Sequence, residues 1–153
     1  MAVYFIDSSA LVKRYVSENG TAFLIGITDP AAGHHTYVAR ITGVEVIAAL
    51  ARRGRAGDLS ADALAAAVGQ FRQEFANVFR IVEMTSALLS DAMRLAETHA
   101  VRGYDAVQLA AALRVNTECV ALGLSATLVS ADGDLNAAAM AEGLTVEEPN
   151  TYP

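Results

Sequence analysis

The chain of 153 residues has no tryptophan and a single cysteine, Cys119. One cysteine excludes an internal disulfide bond, which is typical of proteins from a reducing compartment, so we expect a cytoplasmic protein. Charged residues make up only 18% of the chain and hydrophobic residues 54%, a balance that argues against disorder. A small chain with this composition is expected to leave part of its apolar surface exposed, and we therefore expect a homodimer or a bound partner that covers an apolar patch.

Long apolar runs are also absent. No stretch reaches the roughly 20 apolar residues of a membrane-spanning helix, and the first residues lack a basic leader, so we expect no membrane span and no signal peptide. The net charge of -6 argues against a high-affinity nucleic-acid-binding module. It does not exclude an enzyme that touches RNA through a metal ion, and it suits a basic partner peptide.

Apolar strand patterns alternate with helical patterns along the whole chain, which predicts an α/β fold: one domain, residues 1–153, built as a three-layer α/β/α sandwich around a mostly parallel sheet. The strands are predicted at 3–6, 36–39, 79–84, 126–130 and 144–146. Ser8 and Ser9 are predicted to cap the first helix. Further helices are predicted at about 21–27, 42–53, 60–77, 85–100 and 104–115, with one ending at 141. Gly54 to Gly57 are expected to end the helix predicted at 42–53.

Two acidic residues stand just beyond apolar strands. Asp7 follows the first strand, and Asp132 follows the fourth within a segment that also holds Ser130 and Asp134. Ligands of open parallel sheets bind beyond the carboxyl ends of the strands, so both positions favour a functional role. A helix cap at Asp7 and a plain turn at Asp132 are the structural alternatives. Because Ser8 and Ser9 can cap the helix, we favour the functional interpretation of Asp7.

Two further acids stand in apolar surroundings. Asp105 opens a run that contains one amide, Gln108, and is otherwise apolar, which suggests a helix buried on most sides. A carboxylate there requires a partner such as a cation, although a favourable interaction with the helix dipole is the competing explanation. Glu45 also has apolar neighbours, and taken alone it is at least as well explained as an exposed residue on a polar helix face.

Oxygen ligands of this kind select a hard cation, Mg²⁺ or alternatively Mn²⁺. Zinc is not expected, because His34, His35 and His99 have no cysteine or histidine companions at zinc-ligand spacing. The sequence also has no glycine-rich phosphate loop.

The motifs that carry these acids resemble those of PIN-domain proteins, and most closely the VapC-type toxins of bacterial and archaeal toxin–antitoxin pairs. The resemblance covers essentially the whole chain in order. It rests on the segments Phe5–Lys13, Glu45, Tyr104–Ala110 and Val129–Leu135. Ser8 departs from the threonine that many relatives have, and either residue can cap a helix.

The resemblance implies a Mg²⁺-dependent endoribonuclease toxin that is a homodimer and is neutralised by an antitoxin with a basic C-terminal tail. The implied catalytic, metal-binding acids are Asp7, Glu45, Asp105 and Asp132, with Asp134 assisting or replacing Asp132. Ser9 and Ser130 would be supporting hydroxyls. Cleavage would use metal-activated water and leave 3′-hydroxyl and 5′-phosphate ends. The candidates for contacts with RNA phosphates are Lys13, Arg14, Arg40, Arg52, Arg53, Arg55 and Arg102.

Two other interpretations remain at the level of sequence. A PIN-like fold could be kept as a catalytically silent binding module, which the complete set of acids argues against. A phosphatase of the haloacid-dehalogenase type also places an aspartate after its first strand. It requires a second aspartate two residues later, where this chain has Ser9, and a lysine in a later motif, where this chain has none.

Overall fold

A computed structural model describes residues 1–153 and contains one five-stranded sheet in which every pair of neighbouring strands is parallel. The strand order is β3-β2-β1-β4-β5. The bounds are β1 Val3–Ile6, β2 His35–Ala39, β3 Arg80–Val82, β4 Ala126–Val129 and β5 Thr145–Glu147. The mostly parallel sheet predicted from sequence is confirmed, and it is parallel throughout.

Seven α-helices connect the strands. Their bounds are α1 Ser8–Leu11, α2 Thr21–Thr28, α3 Thr42–Ala56, α4 Ala61–Asn77, α5 Ser86–His99, α6 Gly103–Ala121 and α7 Gly133–Ala141. Short 3₁₀ helices at Val12–Arg14, Pro30–Ala32 and Pro149–Thr151 complete the structure. No helix is both long enough and apolar enough to cross a membrane, as the sequence predicts.

The sheet separates two cores, because successive strand side chains point to opposite faces. Phe5 and Leu128 pack with residues of α5, α6 and α7 on one face. Ile6, Val38 and Val129 pack with residues of α1 to α4 on the other. Helices therefore cover both faces, and the predicted three-layer α/β/α sandwich is confirmed.

Strands β1 and β4 are neighbours at the centre of the sheet, with Ile6 beside Val129. The chain leaves β1 towards β2 and β3 on one side, and β4 and β5 lie on the other side. The change of direction opens a crevice beyond the carboxyl ends of β1 and β4, where open α/β sheets bind ligands. Asp7 follows β1 and Asp132 lies three residues beyond β4.

Three predicted boundaries are wrong. Helix α3 does not break at Gly54 but continues to Ala56, and Gly57, with a φ of 86°, ends it. A Cβ atom at Gly54 would lie 2.6 Å from a terminal methyl group of Leu64 in α4, so any larger residue there would require the Leu64 side chain to shift. Strand β3 is shorter than the predicted 79–84, and α6 extends to Ala121 rather than to 115.

The cap of α1 also differs from the prediction. Neither Ser8 nor Ser9 caps this helix; Asp7 does, because its side chain accepts a hydrogen bond from the backbone N–H of Ala10. The structural alternative for Asp7 is therefore realised. A cap and a place in a functional site are compatible, since a carboxylate has two oxygens and several lone pairs.

Candidate functional site

The structure brings Asp7, Glu45, Asp105 and Asp132 together on one cavity of about 480 Å³ at the carboxyl edge of the sheet. We call this the acidic cavity. Four separate stretches of the chain contribute these acids: the ends of β1 and β4, the first turn of α3 and the first turn of α6. The other residues that line it are Ser8, Ser9, Val12, Ile41, Val44, Ala48, Ala49, Arg52, Arg102 and Tyr104.

Asp7 is the most deeply buried of these acids, with 2% of its surface exposed. The hydroxyl of Ser9 donates a hydrogen bond to Asp7 Oδ1 at 2.8 Å. Burial raises the pKa of Asp7 to about 7, although the hydrogen bonds from Ser9 and Ala10 oppose the rise. A carboxylate with so high a pKa lacks a compensating positive charge.

Ser9 also links the first acidic segment to the last. Its hydroxyl oxygen accepts a hydrogen bond from the backbone N–H of Ala131 at 3.0 Å, across 122 residues of sequence. Ser130, which is fully buried, accepts one from the N–H of Asp132 at 3.1 Å. Both predicted supporting hydroxyls therefore lie beside the acids and fix the backbone between them.

Glu45 is half-buried and is held by Gln108 of α6, whose Nε2 donates to Glu45 Oε1 at 2.8 Å. The same Nε2 donates to Thr42 Oγ1 at 2.9 Å, and both Gln108 and Thr42 are buried. Burial, and to a smaller degree the charge of Asp105, raise the pKa of Glu45. Glu45 is therefore not an ordinary exposed helix residue.

Gln108 is a site residue that the sequence did not identify. The only signal was an amide in the apolar run that follows Asp105, and its contact with Glu45 spans 63 residues. A single sequence cannot reveal such a contact, because nothing local requires it.

Asp105 and Asp132 share one basic partner, Arg102. Arg102 Nε lies 3.2 Å from Asp105 Oδ2, and Arg102 Nη2 lies 2.8 Å from Asp132 Oδ2. Burial and the charge of Asp132 raise the pKa of Asp105, while Arg102 opposes the rise. Asp132 also caps α7 by accepting from the N–H of Leu135 at 3.0 Å, so the plain turn given as the structural alternative is wrong, because α7 already begins at Gly133.

Asp134 lies outside the acidic cavity and is exposed in the first turn of α7. Its charge still reaches the site, because it contributes to the raised pKa of Asp105. Of the two acids in this segment, Asp132 is the one that lines the cavity.

Four of the seven cations predicted as contacts for RNA phosphates pair with acids outside the acidic cavity: Lys13, Arg14, Arg40, which pairs with Glu83, and Arg53, which pairs with Glu18. Lys13 is buried and bonds Glu18 at 3.2 Å. Arg14 bonds Glu74 at 2.8 Å, with only 12% of its side chain exposed. That prediction is wrong for Lys13 and Arg14, because the 3₁₀ helix Val12–Arg14 directs both side chains into the protein, where they pair with these acids. Arg52 and Arg102 are the arginines that line the acidic cavity.

The four acids do not converge as a ready metal cluster: no group of three or more His, Cys, Asp or Glu side chains is arranged to hold an ion. Asp7 and Asp132 each cap a helix, and Asp105 and Asp132 both bond Arg102. The donors that line the cavity are nonetheless of one kind. Apart from the two arginines, its polar side chains are carboxylates and hydroxyls, a donor set that fits a hard divalent cation.

Comparisons with known proteins identify the family. Residues 4–140 match the PIN domain family. The chain is 36% identical over 115 residues to two Mycobacterium tuberculosis proteins, Ribonuclease VapC45 and Ribonuclease VapC49, a match that covers 75% of this chain and 78% of each relative.

Solved structures share the fold. PAE2754 from Pyrobaculum aerophilum superposes with a TM-score of 0.64 at 21% identity, covering 95% of this chain and 83% of that one. FitAcB from Neisseria gonorrhoeae gives 0.62 at 17% identity, with 95% and 97% covered. VapBC2 from Rickettsia felis, bound to a DNA fragment from its promoter, gives 0.62 at 12% identity, with 95% and 98% covered. The resemblance that the motifs predict is thereby confirmed, and the chain belongs to the PIN domain family.

Proposed function

We propose that this chain is a Mg²⁺-dependent endoribonuclease of the VapC toxin type, formed by a single domain over residues 1–153, that hydrolyses RNA phosphodiester bonds in the cytoplasm. The observation that carries the proposal is the meeting of four sequence-distant carboxylates in one cavity at the carboxyl edge of the sheet. The 36% identity to two ribonucleases named VapC supports RNA as the substrate.

We assign Asp7, Glu45, Asp105 and Asp132 as the residues that hold Mg²⁺ or Mn²⁺, with Asp134 assisting from the rim. When bound, such an ion supplies the positive charge that activates a water molecule and neutralises the scissile phosphate. A phosphodiester could not otherwise approach so many carboxylates, because both carry negative charge.

Other residues of the chain fix the orientation of the acids and provide a positive charge for the RNA. Ser9 and the N–H of Ala10 fix the orientation of Asp7, and Gln108 fixes that of Glu45. Held side chains lose little freedom when substrate binds, which favours a fixed reaction geometry. Arg52 lies exposed on the cavity wall and makes no ion pair, so its guanidinium is free to bind an RNA phosphate.

A cognate antitoxin with a basic C-terminal tail is the proposed inhibitor. The acidic cavity and the net charge of -6 would both attract such a tail. Val44 and Tyr104 line the same cavity and are 67% and 63% exposed, which offers apolar contacts to a bound peptide. We also propose a homodimer, and light scattering of the purified chain tests it.

Cleavage of a broad RNA pool by the purified protein tests the proposed function. We expect Mg²⁺ or Mn²⁺ to support cleavage, EDTA to abolish it, and the products to carry 5′-phosphate and 3′-hydroxyl ends. Asp7→Asn and Asp105→Asn should each lower the rate by roughly 100-fold or more, because each removes a charge needed to hold the ion. Both variants should fold, since removing one of several clustered negative charges relieves repulsion.

The matched control is Asp58→Asn, an exposed aspartate outside the acidic cavity, which should leave the rate unchanged. Full activity in both Asp7→Asn and Asp105→Asn would contradict the assigned site. Absence of any cleavage by the wild-type protein with either ion would instead favour a catalytically silent binding module. The phosphatase alternative has lost its basis, because the chain belongs to the PIN domain family.

A further inference from the structure

Arg102 bridges two acids that come from different elements. It is the residue just before α6, and its guanidinium contacts Asp105 of α6 through Nε and Asp132 at the start of α7 through Nη2. Both contacts are to the Oδ2 atom of the aspartate. The guanidinium therefore occupies one carboxylate oxygen of each of two acids that are assigned here as cation ligands.

The acids are more buried than the arginine that joins them. Asp105 and Asp132 side chains are 14% and 18% exposed, whereas the Arg102 side chain is 78% exposed. Arg102 thus reaches into the acidic cavity from solvent and is not packed in place. Ion pairs made by so exposed a side chain are individually weak, because water competes for both partners.

The contacts of Arg102 involve two of the acids that the proposed function assigns to the cation. No three carboxylates are arranged to hold an ion, and two of the four assigned acids are bonded to this one guanidinium. The other arginine of the cavity, Arg52, pairs with none of them. Arg102 is therefore the arginine of the cavity that pairs with the assigned acids.

We propose that Arg102 is a displaceable counter-ion: it holds Asp105 and Asp132 together until a divalent cation replaces it. The inference rests on the proposed function, because it takes these acids to be cation ligands. A divalent ion carries twice the charge of a guanidinium and binds carboxylate oxygens directly, so it wins this competition once its concentration is high enough. Arg102 thereby sets the ion concentration at which the site fills.

Mn²⁺ binding to the full chain, measured by calorimetry, tests the proposal without any need for RNA. Arg102→Ala should bind Mn²⁺ about three- to tenfold more tightly than the wild type, since the ion no longer has to break two exposed ion pairs. Arg52→Ala is the matched control. It removes the same charge from the same cavity without touching a carboxylate, so its affinity should change less than twofold.

A spectroscopic measurement on the wild type follows Arg102 directly. Titration with Mg²⁺ should shift the Nε–Hε resonance of Arg102 as it leaves the two aspartates. The resonance of Arg53, which bonds Glu18 outside the cavity, should stay in place. Together with tighter Mn²⁺ binding by Arg102→Ala, this result would support the proposal.

The possible failures are distinguishable. If the wild type and Arg102→Ala bind Mn²⁺ equally, or if Arg102→Ala binds it more weakly, the displacement is overturned while the cation site stands. If no variant binds Mn²⁺, both the displacement and the proposed cation site are overturned. Circular dichroism of Arg102→Ala should match the wild type, because the side chain is largely exposed.

Discussion

At the scale of single residues, Asp7 combines a structural and a proposed functional task. It caps α1, accepts from Ser9 and is almost fully buried, yet its pKa is raised to about 7. Burial of a carboxylate without a nearby positive charge costs stability. The fold tolerates that cost in the acidic cavity, and a bound cation would remove it.

Replacement of Ser9 should lower both the stability of the fold and the affinity of the acidic cavity for Mn²⁺. Ser9→Ala removes a donor from Asp7 and an acceptor from the N–H of Ala131. We expect the free energy of unfolding to fall by about 1–3 kcal/mol, because a buried or half-buried group is left without its partner. Urea denaturation measures this, and Mn²⁺ affinity should fall in the same variant.

Ser125→Ala is the control for this prediction, because Ser125 is exposed and lies outside the acidic cavity. Equal stability of Ser9→Ala and Ser125→Ala would show that the link from Ser9 to Ala131 contributes nothing.

Some of these residues could be predicted from the sequence and others could not. Asp7 and Asp132 follow apolar strands, and Asp105 opens an apolar helix, so local sequence sets all three apart. The bonds from Gln108 to Glu45 and from Arg102 to Asp132 join residues 63 and 30 positions apart. Such contacts arise from tertiary packing, and no local sequence pattern predicts them.

At the scale of elements, a partly buried ion pair joins the 3₁₀ helix Val12–Arg14 to α4. Arg14 donates to both carboxylate oxygens of Glu74, and the Tyr15 hydroxyl donates to the same carboxylate. Burial alone would raise the pKa of Glu74, but the bonds from Arg14 and Tyr15 outweigh it and lower the pKa below its usual 4.5. This network fixes α4 against the segment that follows Asp7.

Glu74→Gln should destabilise the protein at neutral pH by about 1.5–3 kcal/mol, because a bidentate charged pair is lost. A carboxylate whose pKa is lowered on folding adds stability above its unfolded pKa and loses it as the pH falls through the folded one. The difference between wild type and variant should therefore shrink below about pH 4. Thermal unfolding at pH 7 and pH 3 checks this, and a pH-independent difference would contradict it.

The order of strands and helices along the chain was predicted correctly from sequence, but the residues at which several of them end were not. Alternating strand and helix patterns are local, and all five strands and seven helices were expected. Helix α3 runs through Gly54, which lies against Leu64 of α4. Glycine only lowers the helix propensity, and the packing of α4 against α3 cannot be read from the local pattern.

At the scale of the whole molecule, the strand order explains why distant acids meet. Strands β1 and β4 lie side by side although more than 100 residues separate them, so the residues that follow each strand share one edge. The parallel sheet could be predicted from alternation, but the order β3-β2-β1-β4-β5 could not, because several orders satisfy the same pattern.

The central claim is that the acids gathered at this edge act as one cation site. Mn²⁺ titration followed by electron paramagnetic resonance, on the wild type and on Asp105→Asn beside Asp58→Asn, tests it most directly. We predict saturable binding by the wild type and by Asp58→Asn, and binding weakened by roughly tenfold or more in Asp105→Asn. Equal Mn²⁺ binding by all three proteins, or none by the wild type, would contradict the claim.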